Sequence, residues 1–463
     1  MAAGWIAAAS CLGQSSIPSE NRLHAIVGAR IEIGNGQVIE KGTIVIRDGL
    51  IEAVGTDVKP PAGADVFDGT GCTVYPGFID AFTSQGLKLP DIVVRQDSPV
   101  PESDYASAMM REGDRKGVRP DLEARRYLAF SDDMLKSYRS AGFTTAMVAP
   151  DGALMNGAGT LVNLSGFPTR DCVVTPITTQ GFSLRAGFHS SDPSYPRALI
   201  GEIAQVRQTL ADGQWYARLV VAYGAGGTQR PPSDPVLESL QPILQGSVPA
   251  MFEVKTAAEI DRALKVAGEF RLRPILAGGL EAFRRLDEIK ASGAPVLLAL
   301  NFGNEPRAEE EKKTDEKAPD PPKDDPAPKE DENRLAERIR LFKETAHNAE
   351  ALRAVGIPFA LSSHGCKDVD EFMASIRIVV KNGLSRDAAL KALTLDAANI
   401  YGVGARLGTI APRKVANITV MSGDFLAEKT KVKMLYIDGH KIDPDKKLVG
   451  PNQPIRFFRE GGL

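Results

Sequence analysis

The fold class this sequence predicts is α/β: a (β/α)8-type barrel carrying a small composite β-sandwich built from both chain ends. Three observations predict it. The two ends share a short-stranded β texture, the middle alternates apolar runs with amphipathic helices, and 463 residues suffice for one large barrel with additions. An open doubly wound sheet is the second choice for the middle.

The N-terminal end comes first. Residues 25–55, AIVGARIEIGNGQVIEKGTIVIRDGLIEAVG, alternate apolar and polar positions and are punctuated by Gly34-Asn35-Gly36 and Asp48-Gly49. Asn-Gly and Asp-Gly pairs suit the positive φ angles of tight hairpin turns. The same texture returns in RLGTIAPRKVANITVMSG and KVKMLYIDGHKI, residues 406–423 and 431–442. Residues 23–75 and 401–445 are therefore expected to pair into one sandwich, with 76–400 inserted between them.

The middle follows. FTTAMVAP, ARLVVAYG, VPAMFEV, LRPILAGG, APVLLALNFG and IPFALSS read as buried strands, separated by helical stretches such as AAEIDRALKVAGEF and AERIRLFKETAHNAEALRAVG. In the last, Leu335, Ile339, Phe342, Ala346, Ala349 and Leu352 recur at spacings of three and four, one apolar helix face. Continuous apolar strands alternating with such helices predict a parallel sheet covered by helices. Residues 305–333 contain no aromatic, Ile, Leu, Val or Met, so they read as a disordered, solvated insertion or a charged docking arm.

Composition excludes some classes. A net charge of -3 and 25% charged residues do not mark a nucleic-acid binder, and no run is long enough for a transmembrane segment. Cys11, Cys72, Cys172 and Cys366 lie far apart, without zinc-knuckle spacing. Residues 1–22 begin MAAGWIAAASC, like the back half of an export signal, so the protein is expected to be exported (periplasmic or cell-surface) or, failing that, cytoplasmic. The Ala-Ala-Ser-Cys ending loosely resembles a lipoprotein cleavage box.

GTGCTVYPGFIDAF near residue 76, with ALKALTLDAANIYGVGARLGTIAPRKVANITVMSGDF downstream, resembles the amidohydrolase superfamily, near its imidazolonepropionase-like branch. The resemblance covers residues 23–442 and implies a barrel plus composite β-domain, hydrolysis of C–N bonds other than peptide bonds, and zinc. In that family the stretch resembling Pro76-Gly77-Phe78-Ile79-Asp80 continues into His-x-His, two imidazoles on one side of a strand that reach one ion. Here those places hold Phe82 and Ser84. No lysine lies between Lys136 and Lys255 to serve as a metal-bridging carbamate on the fourth barrel strand. Matching the fifth, sixth and eighth strands puts the remaining ligand positions on Glu253, Gly278 and His364. Only Glu253 and His364 of this set can still bind or move a proton, so no metal cofactor is expected.

His364 with Glu253 can act as a general acid–base pair, or His364 can be a hydrogen-bonded loop histidine. Glu253 and Lys255 can be catalytic, or an internal ion pair filling a former metal cavity. His24, His189, His347 and His440 are not obvious replacement ligands. APDGALMNGAGTLVNLSG is similar to a glycine-rich loop of the branch and lacks phosphate-loop spacing. Trp215, Tyr216 and Tyr195 line a pocket or belong to the core, and HSSD at 189–192 has no partner pattern for nucleophilic catalysis. The expected function is a weakly active or non-catalytic family member, a pseudoenzyme acting as a binding or partner subunit. The alternative is an active amidohydrolase on cyclic amide, imidazolone or dipeptide-like substrates. Expected partners are a second copy (homo-oligomer), a related histidine-bearing amidohydrolase, or a small-molecule ligand.

Overall fold

The computed structural model describes residues 23–90, 117–184, 198–228, 230–303, 305–306 and 332–444. The expected export signal with Cys11, His189 with its HSSD stretch, Tyr195 and most of the 305–333 insertion lie outside the described residues.

Among the described residues, two eight-stranded sheets organise the fold. The first is mixed and takes strands from both ends: β1 Leu23–Glu32, β2 Val38–Arg47, β3 Leu50–Gly55, β4 Asp65–Asp68, β5 Thr73–Pro76, β14 Ile418–Met421, β15 Val432–Ile437 and β16 His440–Ile442. Its order is β16-β15-β14-β5-β1-β2-β3, with β4 also paired to β1, so the antiparallel β14/β5 ladder joins the two chain ends. The Asp-Gly turns fall where alternation stops. Asp48 and Gly49 have φ of 49° and 84°, and Asp438 and Gly439 have 52° and 75°, the left-handed pair a two-residue hairpin requires.

The second sheet is the barrel. In chain order it comprises β6 Phe78–Thr83, β7 Phe143–Val148, β8 Met155–Asn163, β9 Val173–Ser183, β10 Ala250–Val254, β11 Pro274–Gly278, β12 Val296–Ala299 and β13 Phe359–Ser362. All neighbours pair in parallel except β7/β8 and β8/β9, which are antiparallel. β8 is thus a reversed third strand, and it is the stretch expected to be a glycine-rich loop. Its glycines keep it there: a Cβ on Gly159 would lie 2.8 Å from Thr179 Oγ1, 2.9 Å from Met147 Sδ and 3.0 Å from Ala149 Cβ. The interior is packed by Ile79, Ala81, Met147, Leu161, Met251, Ile275, Leu297 and Ala360, alternate residues of successive strands.

Side chains close the seam between β13 and β6. Ser362 Oγ donates to the Phe82 carbonyl at 2.8 Å, and the Ser363 amide donates to Asp80 Oδ1 at 2.9 Å. Asp80 is wholly buried and also accepts from the Ser363 hydroxyl and, at 3.1 Å, from the Tyr138 hydroxyl. The carboxylate of the Pro76–Asp80 stretch therefore fastens the first barrel strand to the last. Burial pushes it up to about 6, against the downward pull of those hydrogen bonds.

Two clusters pin the end sheet to the barrel. Asn417 Nδ2 donates to Asn163 Oδ1 at 2.8 Å and to Thr145 Oγ1 at 3.0 Å, while Asn163 Nδ2 donates to Asp438 Oδ2 at 2.7 Å. Arg386, at the start of helix Arg386–Ala392, grips Glu32 of β1 through two bonds of 2.8 and 3.0 Å and also pairs with Asp424.

One strand expectation is corrected. ARLVVAYG, residues 217–224, is not a barrel strand but the end of helix Leu199–Gly224. The fourth barrel strand is β9 instead, a Thr-rich run whose polar residues hid it from a search for continuous apolar stretches. The amphipathic face read at 335–352 lies on helix Glu332–Ala354, where Phe342, Ala346, Ala349 and Leu352 are buried and Leu335 and Ile339 are half-buried.

Candidate functional site

The C-terminal ends of the parallel strands converge on a cavity of about 300 Å³. Ser84 follows β6, Asp151 follows β7, Glu253 ends β10, Gly278 ends β11, Asn301 follows β12, and Ser363 and His364 follow β13; all line it. This is the end of a barrel at which variable loops place chemistry on a rigid frame.

Behind its wall, in the barrel interior, the Phe82 ring stacks on the His364 imidazole, centroids 4.1 Å apart and planes 20° off parallel. Phe82 is fully buried and His364 half-buried, so the phenyl face shields one side of the imidazole while the cavity reaches the other. The strand geometry sets this up. A register shift between Asp80 and Thr83 turns Phe82 inward, and Ser362 Oγ bridges the Phe82 carbonyl and the His364 amide, the latter at 3.1 Å. His364 Nδ1 lies 3.8 Å from Asp151 Oδ2, an ion-pair distance when the ring is protonated and too long for a direct hydrogen bond.

Glu253 is 4% exposed and accepts from Asn156 Nδ2 on β8. Asn156 is itself fixed, since its Oδ1 accepts the Ala153 amide at 2.6 Å. Lys255, two residues on, is exposed at the rim and its amide is taken up by Glu259 Oε2 at 2.6 Å. The expected internal Glu253–Lys255 pair is therefore not internal: the helix capping box at Thr256 and Glu259 turns the chain outward right after β10.

Gly278 adopts φ of +104°, and a Cβ there would come within 2.4 Å of the Val254 carbonyl oxygen. No side chain fits at that position without moving β10. Ser84 is half-buried at the cavity edge. Among the described residues, no three His, Cys, Asp or Glu side chains converge in metal-holding geometry.

Of the residues singled out in the sequence, Ser84, Glu253, Gly278 and His364 line the one cavity, and Phe82 stacks behind His364. Asp151, Asn156 and Asn301 were missed. The first had a readable signal, a carboxylate before glycine directly after an apolar strand. Asn156 had none, because its role depends on β8 running in reverse. The other histidines lie elsewhere: His24 packs edge-on against Tyr436 beside Asp65, His347 bonds the Asn382 carbonyl at 2.8 Å, and His440 sits against Phe167. Tyr216 is buried with its hydroxyl on Glu238 at 2.8 Å, and Trp215 is exposed on the same helix; neither lines the cavity.

The sequence model of the Amidohydrolase family matches residues 308–442. Among solved structures, an amidohydrolase from Thermotoga maritima MSB8 superposes with a TM-score of 0.73 at 19% identity, covering 90% of this chain and 99% of that one. A Xaa-Pro dipeptidase with methionine bound in its active site gives 0.52 at 15% identity, covering 91% of this chain and all (100%) of the other. No curated protein matches in sequence. The Amidohydrolase family model thus matches the last third of the chain, and the barrel with its composite sheet is the fold of that amidohydrolase structure.

Proposed function

We propose that this chain is a metal-independent member of the superfamily, whose barrel mouth binds a small polar molecule and which serves as a binding or partner subunit. The observation that carries the reading is the Phe82–His364 stack. A phenyl ring offers no lone pair, and here it stands behind His364 at the position where the family resemblance places an imidazole ligand. The other donors do not fit a divalent metal either. Zinc takes three protein ligands even in an open catalytic site, whereas Gly278 excludes any side chain and Ser84 presents a neutral hydroxyl. Glu253, the strongest candidate donor, is committed to Asn156.

What remains suits recognition of a small ligand. The cavity of about 300 Å³ sits at the lower end of ligand-pocket sizes, and its walls present carboxylates, an amide and an imidazole. The test is ligand screening by thermal shift and calorimetry on the metal-free protein, using amino acids, N-acyl amino acids and dipeptides. A bound compound whose affinity drops at least tenfold in Asn301→Ala or Asp151→Asn supports the reading. Stoichiometric zinc retention with metal-dependent amide hydrolysis overturns it.

A second reading is favoured by the Asp151–His364 approach. A carboxylate at ion-pair distance from an imidazole at a cavity wall favours the protonated ring that forms when it takes up a proton. It supports metal-free hydrolysis of a dipeptide-like or cyclic amide, with His364 as the base. Hydrolysis in the presence of chelator, abolished by His364→Ala, distinguishes this from simple binding.

A further inference from the structure

Resting on the reading of the barrel-mouth cavity as a small-molecule site, we propose that its ligand is an organic compound with a primary ammonium group, bound by Asp151 and Asn301 beside the turn at His364-Gly365. That names the chemical class of the ligand, which the cavity's size and polarity alone leave open.

The lining residues set the sign of the charge. Among the described residues, the wall carries two carboxylates, Asp151 and Glu253, against one lysine, Lys255. Position widens the imbalance. Lys255 is exposed at the rim, where water and salt screen its charge, while Glu253 is 4% exposed. No arginine of the described residues lines the cavity, so a carboxylate or phosphate meets no bidentate fork there. A cation complements such a wall.

Hydrogen-bonding capacity narrows the class. Asn301 lines the cavity, yet its Oδ1 is buried and meets no donor. A buried carbonyl in that state calls for one. Gly365 makes the room for this amide: a Cβ there would lie 2.2 Å from Asn301 Nδ2 and 3.0 Å from its Cγ. The residue before it, His364, has its Nδ1 3.8 Å from Asp151 Oδ2. The Asp151 carboxylate and the Asn301 amide are thus neighbours of one dipeptide. A group beside that dipeptide must bring positive charge to the first and an N–H to the second. The last torsion of an asparagine is soft, so a small turn of the amide presents Oδ1 to it. A primary ammonium meets both demands, with three N–H donors and no acceptor. Volume bounds the remainder. About 300 Å³ equals about ten waters of the liquid, which suits a compound of about ten non-hydrogen atoms.

Calorimetry on the chelator-treated full chain at pH 7 tests this with matched amides. L-Alaninamide, L-leucinamide and L-phenylalaninamide carry the ammonium; propanamide, 4-methylpentanamide and 3-phenylpropanamide keep the skeletons without it. At least one ammonium compound should bind at least tenfold more tightly than its desamino counterpart. Asp151→Asn, which removes the charge and keeps the shape, should weaken that binding at least tenfold. Asn301→Leu should weaken it too, and Asn301→Asp, which keeps an acceptor, should restore it. If a variant misfolds by circular dichroism, the matched pairs on the wild type decide. Equal affinity within every pair, or unchanged affinity in a folded Asp151→Asn, overturns the proposal. So does tight binding of calcium or zinc ions in place of the amines. If only desamino or N-acetylated compounds bind, and lose affinity in Asp151→Asn, the ammonium assignment fails while the cavity remains a small-molecule site. If no compound binds, both fail.

Discussion

The ring of Phe82 lies flat on the imidazole of His364, 4.1 Å away, across the seam where the barrel closes. Four links hold that contact in place. Ser362 Oγ ties the backbones of both residues together, and Asp80 holds Ser363 between them. The Phe82–His364 stack is thus part of the barrel closure, and replacing the phenyl ring with an imidazole alters the seam itself.

Metal content is the first expectation. Protein purified with zinc or manganese present and then dialysed should carry well under one metal per chain by elemental analysis, because the donors at the mouth are too few and too committed. A near-stoichiometric metal that survives dialysis would refute the metal-independent reading. Point variants of Asp151, Glu253 and His364 would then identify its ligands.

Gly159→Val tests why β8 is a strand. The nearest atoms to its Cβ are already at 2.8 to 3.0 Å, all in packed interior side chains. Overpacking of this kind costs typically 1–3 kcal/mol, so urea unfolding should show a loss of about that size. An unchanged midpoint would mean that β8 is free to shift away from β9.

These elements also mark where the sequence was legible. The end sheet announced itself through Asp48-Gly49 and Asp438-Gly439, because turn chemistry is local. So did β10 to β13, whose residues face core on both sides and read as continuous apolar runs. β8 did not, since its glycines mimic a loop until β7 and β9 are seen to crowd it. Residues 217–224 misled in the opposite direction, as an apolar run reads as a buried strand even where it lies on a largely exposed helix end. At the mouth, Glu253 and His364 were legible by strand position and Asp151 could have been, whereas Asn156 meets Glu253 only because β8 runs in reverse.

Arg386 should matter more than its half-exposed position suggests. It meets Glu32, which is 3% exposed, and its removal leaves that carboxylate with Arg30 at 3.5 Å as a remaining cation. Breaking one side of a buried pair costs about 3–5 kcal/mol, while replacing both partners by apolar groups is far milder. Arg386→Met should therefore lower unfolding stability by roughly 3 kcal/mol, with Glu32→Met recovering part of it in the double variant. Additive losses would show that the two side chains do not depend on each other.

Asp80 sets the last expectation, a pH dependence of stability. Burial raises its carboxyl to about 6 in the folded chain, against about 3.9 for an unfolded aspartate. Below pH 4 both states hold the proton and the folded chain keeps the full benefit. Between about pH 4 and 6 the unfolded chain releases its proton first, so stability falls as pH rises, by up to about 2–3 kcal/mol for two pH units. Above pH 6 the contribution is flat again. Asp80→Asn removes the titration but keeps the shape and one acceptor oxygen for the Ser363 and Phe82 amides, which bond the aspartate at 2.9 and 3.3 Å. Urea denaturation of wild type and variant at steps across this range isolates the group, because every other titrating residue contributes to both. The wild type should lose stability relative to Asp80→Asn as pH rises from 4 to 6. A constant difference would place the Asp80 proton elsewhere, and a rising one would mean that the hydrogen bonds from Ser363 and Tyr138 outweigh burial and hold the carboxylate ionised.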